Sequence, residues 1–471
     1  MTGGLKAGVG RADITPPVGI AHVNWGARTH DRAEGIDLPL WLTVLLLAEG
    51  RERIAIVDVD LGVVPTEDCE EFRQIVAEEA KCAPADVRIS YGHTHAGPSW
   101  EVGRFGAQEE LPGMELVPAY RESVRAGLRA ATQTAAAALR PARIAAGYGK
   151  SDVSVNRRLR TPEGRTVVGQ NWDGYSDQTV TVVRIDDNEE NPIASLVGFG
   201  THPIILAHEN RLISPDYPGV VKRTMEELVG GTCLFLQGCA GDQMPVEGLT
   251  ADLGAPRRIG KRLGAEAARV CLGLRTRPTQ RRFDRVVESG APLGIWVNDP
   301  LPETEPVLRA LSRKVALPVR NYGSSQALGA EAEKWAAASG SIDRSRATPQ
   351  EIAEVNFRAK RAAMDAHWGE LCSGRTQVEV ELHGIRLGPV GLIGAPLEPF
   401  ARLGAEVRQA SPLPVTQLAG YTNGWEGYVA TPEEFQSGGY EVEWATPYAP
   451  TAASTLVNAA LAMLRDLAAS G

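Results

Sequence analysis

The chain has 471 residues, 43% of them hydrophobic and 23% charged, with a formal net charge of −9. Such a length buries at least one large core, divided by usual domain sizes into roughly two to three units or taken up by one α/β body with insertions. The modest acidity favours solubility and argues against broad contact with nucleic acid or an anionic membrane.

The N-terminus, residues 1–8, has no basic flank leading into an apolar run, so no secretory signal is expected. Residues 41–48 and 54–59 concentrate apolar side chains between polar turns and predict strands. Residues 67–80 have helical spacing with Phe72, Ile75 and Val76 on one face, and the short strand 87–91 runs directly into two histidines. The Ala-rich stretch 120–138 is the clearest helix, stopping before Pro141. Strands follow at 144–149, 179–185 and 193–200, then a helix at 219–228, a buried strand at 233–237 and a helix at 256–274. Between 278 and 346, Pro, Gly and Ser interrupt short apolar pieces, so this segment reads as an insertion or subdomain. A helix at 351–368, a strand pair over 377–392 turning at Gly388-Pro389, and a closing helix at 452–468 complete the chain. The alternation predicts an α/β fold of mixed helix and sheet layers.

The most apolar runs, 38–48 and 193–199, fall far short of the roughly 20 residues that span a bilayer, so no stable membrane insertion is expected. Six scattered cysteines without a CxxC make neither a disulfide framework nor a thiolate metal site, and a cytoplasmic protein is the expectation.

Chemistry concentrates at strand ends. His93 and His95, in Gly92-His93-Thr94-His95, lie just past strand 87–91, where an extended backbone would point both rings to one side. Neutral imidazole is a good zinc donor, and such a pair suits a ligand beside a second ligand, acid or base. His202, in Gly200-Thr201-His202-Pro203, also follows a strand, and loops at strand ends of α/β sheets gather reacting groups. Glu398, between Leu397 and Pro399 after a Gly-rich apolar strand, is the best oxygen ligand, or else a carboxylate at a helix N-terminus. Asp242, in the tight turn Gly241-Asp242-Gln243-Met244-Pro245, either orients a water or a histidine or shapes the turn. Asp58 and Asp60 end a hydrophobic strand, as support for the site or as a cap.

Landmarks in one order run along nearly the whole chain: Gly8-Val9-Gly10-Arg11-Ala12-Asp13-Ile14-Thr15-Pro16-Pro17, His93-Thr94-His95-Ala96-Gly97-Pro98, Ser154-Val155-Asn156-Arg157, and Asp177-Gln178-Thr179-Val180-Thr181-Val182. Thr201-His202, Asn210-Arg211-Leu212-Ile213-Ser214, Gly241-Asp242 and residues 428–441 follow. In this order they resemble the N-terminal catalytic domain of the neutral/alkaline ceramidase family. The resemblance implies that residues 1–471 form one ceramidase-like catalytic domain. In that family two histidines, a glutamate and a tyrosine hold zinc, which implies His93, His202, Glu398 and Tyr428 as metal ligands here. It further implies that His95, Arg157 and Tyr440 handle protons or polarise the substrate around the metal.

Two departures narrow the expectation. The family's serine after the Gly-Asp turn is Met244 here, and a thioether neither donates a proton nor attacks as an alkoxide. No counterpart of the family's C-terminal immunoglobulin-like domain is recognised after residue 468, as in a short bacterial-type member. The expected function is zinc-dependent amidohydrolysis of a soluble acyl-amide or related small molecule by metal-activated water. The alternatives are a metal-dependent hydrolase of a sugar-like, cyclic or ester substrate and a non-catalytic ligand-binding homologue.

Overall fold

Three sheets in the computed structural model are built to one plan: an antiparallel set whose last strand is parallel to its neighbour and is reached through a helix. The structure describes residues 4–62, 64–100, 111–302, 307–343 and 345–469. Residues 1–3 of the N-terminal segment and residues 303–306 and 344 of the 278–346 segment lie outside them.

In the first sheet, Lys6–Asp13, Trp41–Glu49 and Glu52–Val59 run antiparallel, and the helix Thr66–Ala80 crosses over to Val87–Tyr91, parallel to Glu52–Val59. In the second, Arg143–Lys150, Thr179–Asp186 and Pro192–Phe199 are antiparallel, and the helix Asp216–Val229 leads to the parallel strand Thr232–Gln237. In the third, Leu308–Pro318, Gln377–Leu387 and Val390–Gly394 are antiparallel, and the helix Ala401–Ala410 leads to the parallel strand Val415–Ala419. Parallel pairing requires such crossovers. It also puts both strand ends of each crossover on one side, where loops meet.

One apolar cluster joins the sheets: Leu45, Leu47, Ile54 and Ile56 of the first, Ile185, Leu196 and Leu236 of the second, and Ile385, Leu387 and Leu392 of the third, all at least 99% buried. The Ala-rich helix, Val117–Ala137, lies so close on Lys6–Asp13 that a Cβ on Gly10 would sit 2.0 Å from the Ala131 carbonyl oxygen, which accounts for a glycine in the first landmark. The first and second sheets are also tied by a buried triad. Lys222 reaches Asp58 at 2.9 Å and Asp60 at 2.7 Å, and Asp58 also accepts the Phe235 N–H at 3.1 Å. Asp58 and Asp60 are thus joined to this fold-bracing lysine rather than to the histidines.

The mixed α/β class and most elements match the sequence reading to within a few residues. The segment 278–346 resolves into three pieces: an exposed hairpin of Thr279–Val287 and Leu293–Pro300, the third-sheet strand Leu308–Pro318, and the helix Ser325–Ser341. That helix packs along Pro349–Leu371 beside the mouth of the site. Among the described residues no helix is long and apolar enough to cross a membrane.

Candidate metal and catalytic site

The ends of the three crossovers deliver the site. Past Val87–Tyr91 the chain does not stay extended: His93 takes a left-handed backbone, φ 62°, and donates its N–H to the Leu61 carbonyl at 2.8 Å. The same-side argument for His93 and His95 therefore fails in its premise. The bend sets the rings edge to face, and their Nε2 atoms still meet, 3.3 Å apart. Thr94 locks the turn by donating to the Ser214 carbonyl at 2.7 Å, and the Ser214 N–H donates to the Ala96 carbonyl at 2.9 Å. The landmark ending at Ser214 is in this way a brace for the histidines.

His202, past Pro192–Phe199, brings its Nε2 to 3.1 Å from that of His93. Both rings are held from behind, His93 Nδ1 by the Gly62 carbonyl at 3.4 Å and His202 Nδ1 by the Ala240 carbonyl at 3.1 Å. An imidazole that donates one N–H to a carbonyl presents its other nitrogen as a lone pair. The Glu398 carboxylate lies 3.9 Å from His93 Nε2 and 3.6 Å from His202 Nε2. Burial lowers the His93 pKa to about 3 and those of His95 and His202 well below the usual value, so the three rings are neutral at pH 7. Burial pushes Glu398 up to about 7, opposed by a hydrogen bond from Tyr428, the charge of Arg157 and hydrogen bonds from Trp425 and Tyr421.

This donor set fits a metal ion. Zn–N bonds of about 2.0–2.1 Å in tetrahedral geometry place ligand nitrogens about 3.3 Å apart. The 3.1 Å separation of His93 and His202 is near that edge length, and with each Nδ1 proton given to a backbone carbonyl neither Nε2 of that pair has a proton to share. The ligating atoms of His93, His95 and His202 all lie within 4.8 Å of one another.

Glu398 pairs in a two-residue parallel bridge with Tyr428, which places both side chains at the same point. A Cβ on Gly241 would lie 2.6 Å from the Glu398 carbonyl oxygen, so the Gly-Asp turn must begin with glycine to pack here. The Asp242 carboxylate is taken up by the fold around the site. Its Oδ1 accepts the Ala401 N–H at 2.8 Å at the start of the helix Ala401–Ala410, and its Oδ2 accepts from Asn156 at 3.3 Å. The structure thus uses Asp242 to hold the backbone that follows Glu398.

Arg157 is buried between two partners, donating through Nε to Glu441 at 2.8 Å and through Nη2 to the Tyr428 hydroxyl at 3.0 Å. Glu441 also takes Arg158 at 2.6 Å, so one carboxylate holds two guanidinium groups. The Tyr440 ring stands edge-on to Tyr428 at 5.9 Å. Together with the histidines and Glu398, these side chains open onto a cavity of about 320 Å³ walled by Trp25, Trp100, Phe357, Met364 and Trp425. A second hollow, about 370 Å³, shares Phe357 and Arg361 with it but holds none of the histidines. Met244 does not line the cavity; it is 1% exposed and packs with Val155 and Ile204.

Four contributors were not read from the sequence: Tyr421, Trp425, Glu441 and Arg158. Tyr421 donates to Glu398 Oε2 at 2.9 Å while its oxygen stands 3.4 Å from His202 Nδ1, and Trp425 Nε1 donates to Glu398 Oε1 at 2.5 Å. Both follow Val415–Ala419, a strand the pattern reading passed over, and the strand-end rule applied there would have found them.

Residues 5–240 match the family model for neutral/alkaline non-lysosomal ceramidase, N-terminal. The chain belongs to this family. The match includes His93, His95, Arg157 and His202. Among relatives of this ceramidase family member, the neutral ceramidase of Pseudomonas aeruginosa is 24% identical over 93% of this chain and 68% of its own length. A neutral ceramidase of Oryza sativa subsp. japonica is 27% identical, but the match covers 54% of this chain and only 32% of that protein. The crystal structure of the Pseudomonas aeruginosa enzyme superposes with a TM-score of 0.64 at 22% identity, covering 98% of this chain and 75% of that one, so the two share a fold. Family membership marks the chain as a hydrolase.

Proposed function

We propose that this family member is a zinc-dependent amidohydrolase that cleaves the acyl–nitrogen bond of a small molecule, with His93, His202, Glu398 and Tyr428 as the metal ligands. The observation that carries this reading is the meeting of neutral, backbone-anchored imidazoles beside a buried carboxylate. Bound zinc would supply a Lewis acid for the acyl oxygen and acidify the attacking water.

The chain's own groups do the rest. His93 and His202 each give one nitrogen to a backbone carbonyl and keep the other for a ligand. His95 differs: its Nδ1 has no hydrogen-bond partner among the described residues, so neither tautomer is fixed. That freedom suits a proton carrier, taking a proton from water and returning it to the leaving nitrogen. Arg157 keeps its charge in the buried site and, with Tyr440, faces the space where the acyl oxygen develops negative charge. Tyr428 shares its oxygen with Arg157, which favours a polarised phenol. Met244 lies outside the cavity, so the missing serine hydroxyl does not interrupt this set.

Metal analysis of the purified protein tests the reading. About one zinc per chain is expected, lost in His93→Ala and Glu398→Gln but kept in His95→Ala, which should lose hydrolysis of N-acyl amides instead. Full activity in metal-free protein would overturn it.

A further inference from the structure

The cavity is lined unevenly in charge. Among its described lining residues Arg28, Arg157, Lys360 and Arg361 are cationic, and Glu398 is the one carboxylate. Arg157 is matched by Glu441, and Arg28 stands 3.6 Å from Asp31 while donating to the Trp25 carbonyl at 3.2 Å. Lys360 is different. The hydrogen bond the structure gives its ammonium is to a backbone carbonyl, Asn24 at 2.9 Å, and among the described residues it forms no ion pair with a carboxylate. Arg361 is stacked over Trp444, 3.9 Å from its ring centre, and over Phe357 at 4.8 Å, and among the described residues it forms no ion pair with a carboxylate.

Two neutral groups on the same lining repeat the pattern. Asn356 is 6% exposed; its Oδ1 accepts from Ser339 at 2.9 Å, and its Nδ2 has no acceptor among the described residues. Trp25 Nε1 likewise has none among them. Asn356 and Lys360, four residues apart on the helix Pro349–Leu371, share one helix face. Buried donors without acceptors are rare in folded proteins, and when they line a cavity they describe what fills it. What is missing here is an acceptor-rich, negatively charged group.

We infer that the substrate is an acidic amide, an N-acyl compound whose carboxylate, sulfate or phosphate is received by Lys360 with Asn356 and Trp25. The inference rests on the amidohydrolase reading of the metal site and adds the substrate class. Lys360 lines the same cavity as His95, so an anion received there shares the chamber of the reacting bond. Burial and Arg28 bring the lysine down to about 8, so it remains mostly protonated at pH 7. A substrate neutral at both ends would leave the Lys360 charge without a counter-charge in the cavity.

The zinc-loaded protein, titrated and assayed with N-octanoylglycine, its methyl ester, and octanoyl-taurine as the sulfonate counterpart, decides the matter. The acids should bind at least tenfold tighter than the ester. Lys360→Gln should raise the KM for the acids at least tenfold with little change for the ester, and Lys360→Arg should restore most of the loss. A carboxylate preference over the sulfonate, or the reverse, identifies which oxyanion the site prefers. Equal binding of acid and ester, or equal losses for both in Lys360→Gln, would overturn the inference. Selective binding of the acids without turnover would uphold it while refuting the amidohydrolase reading.

Discussion

Tyr421→Phe removes one hydroxyl and tests whether the metal site depends on a residue that is not itself a ligand. That hydroxyl donates to Glu398 at 2.9 Å and its oxygen stands 3.4 Å from His202 Nδ1, so it links two proposed ligands from different crossovers. Glu398 is 2% exposed, so its carboxylate depends on the protein's own donors. A hydrogen bond to a charged group is worth about 1.5–3 kcal/mol, or roughly 10–100-fold in affinity, the range usual for groups that support metal ligands. The pH dependence has a definite sign. The Glu398 pKa stands at about 7 because of burial, and the Tyr421 hydrogen bond is among the effects that lower it. Removing that bond raises it further, so a proton competes with zinc at higher pH and the loss grows as pH falls from 8 to 6. Competition with a chromophoric chelator across that range measures the effect, with the remote Tyr148→Phe as control. Zinc affinity and pH profile unchanged in folded Tyr421→Phe would refute the claim that this hydroxyl supports Glu398.

Three further outcomes follow from the geometry. Lys222→Met leaves Asp58 and Asp60 buried without their cation and should lower stability by about 3–5 kcal/mol in urea denaturation; a loss below 1 kcal/mol would mean the triad does not brace the sheets. His383 is buried against the Ala85 carbonyl at 2.9 Å, and burial lowers its pKa to about 3. The unfolded chain therefore takes up this proton first as pH falls below 6.5, and wild-type stability should drop, relative to His383→Gln, by roughly 2 kcal/mol between pH 6.5 and 5. Met244→Ser should cost about 2–5 kcal/mol through the hole left beside Val155 and Ile204, with kcat unchanged, since residue 244 does not reach the cavity.

What the sequence disclosed depended on whether a side chain's role is local. Val87–Tyr91 and Pro192–Phe199 announce themselves by short apolar runs, so the histidines at their ends were legible as a cluster. Glu398 was legible because a Gly-rich apolar strand precedes it, but Tyr428 came through the family resemblance, since nothing local distinguishes a ligating tyrosine. Asp242 looked like a site residue for the same local reason, a polar turn after a buried strand, and only the distant Ala401 N–H shows what its carboxylate holds. Tyr421 and Trp425 went unread because prolines and glycines around Val415–Ala419 hide the third crossover, and without that strand its end has no meaning. The Lys360 wall was beyond pattern reading altogether: on an amphipathic helix a lysine is ordinarily a solvated face, and its place on the cavity wall depends on packing beside Asn24, more than 300 residues away.

Chemically identical rings acquire different tasks here through what stands behind them. His93 is fixed by a carbonyl of the first crossover's loop and His202 by one that follows the second sheet's parallel strand, while Glu398 is fixed by side chains that follow the third. The metal-binding atoms are therefore positioned by the same docking of three sheets that buries Leu45, Leu196 and Leu392 in one cluster. A ligand that binds this arrangement and not the unfolded chain adds its binding free energy to folding. His95 lacks such an anchor: its Nδ1 has no hydrogen-bond partner among the described residues, and its Nε2 meets only the His93 ring. The left-handed turns at His93, Tyr421 and Asn423 fall in the loops where the crossovers converge. Backbone strain of that kind persists only where surrounding structure over-determines it, and here the surrounding structure is the convergence itself.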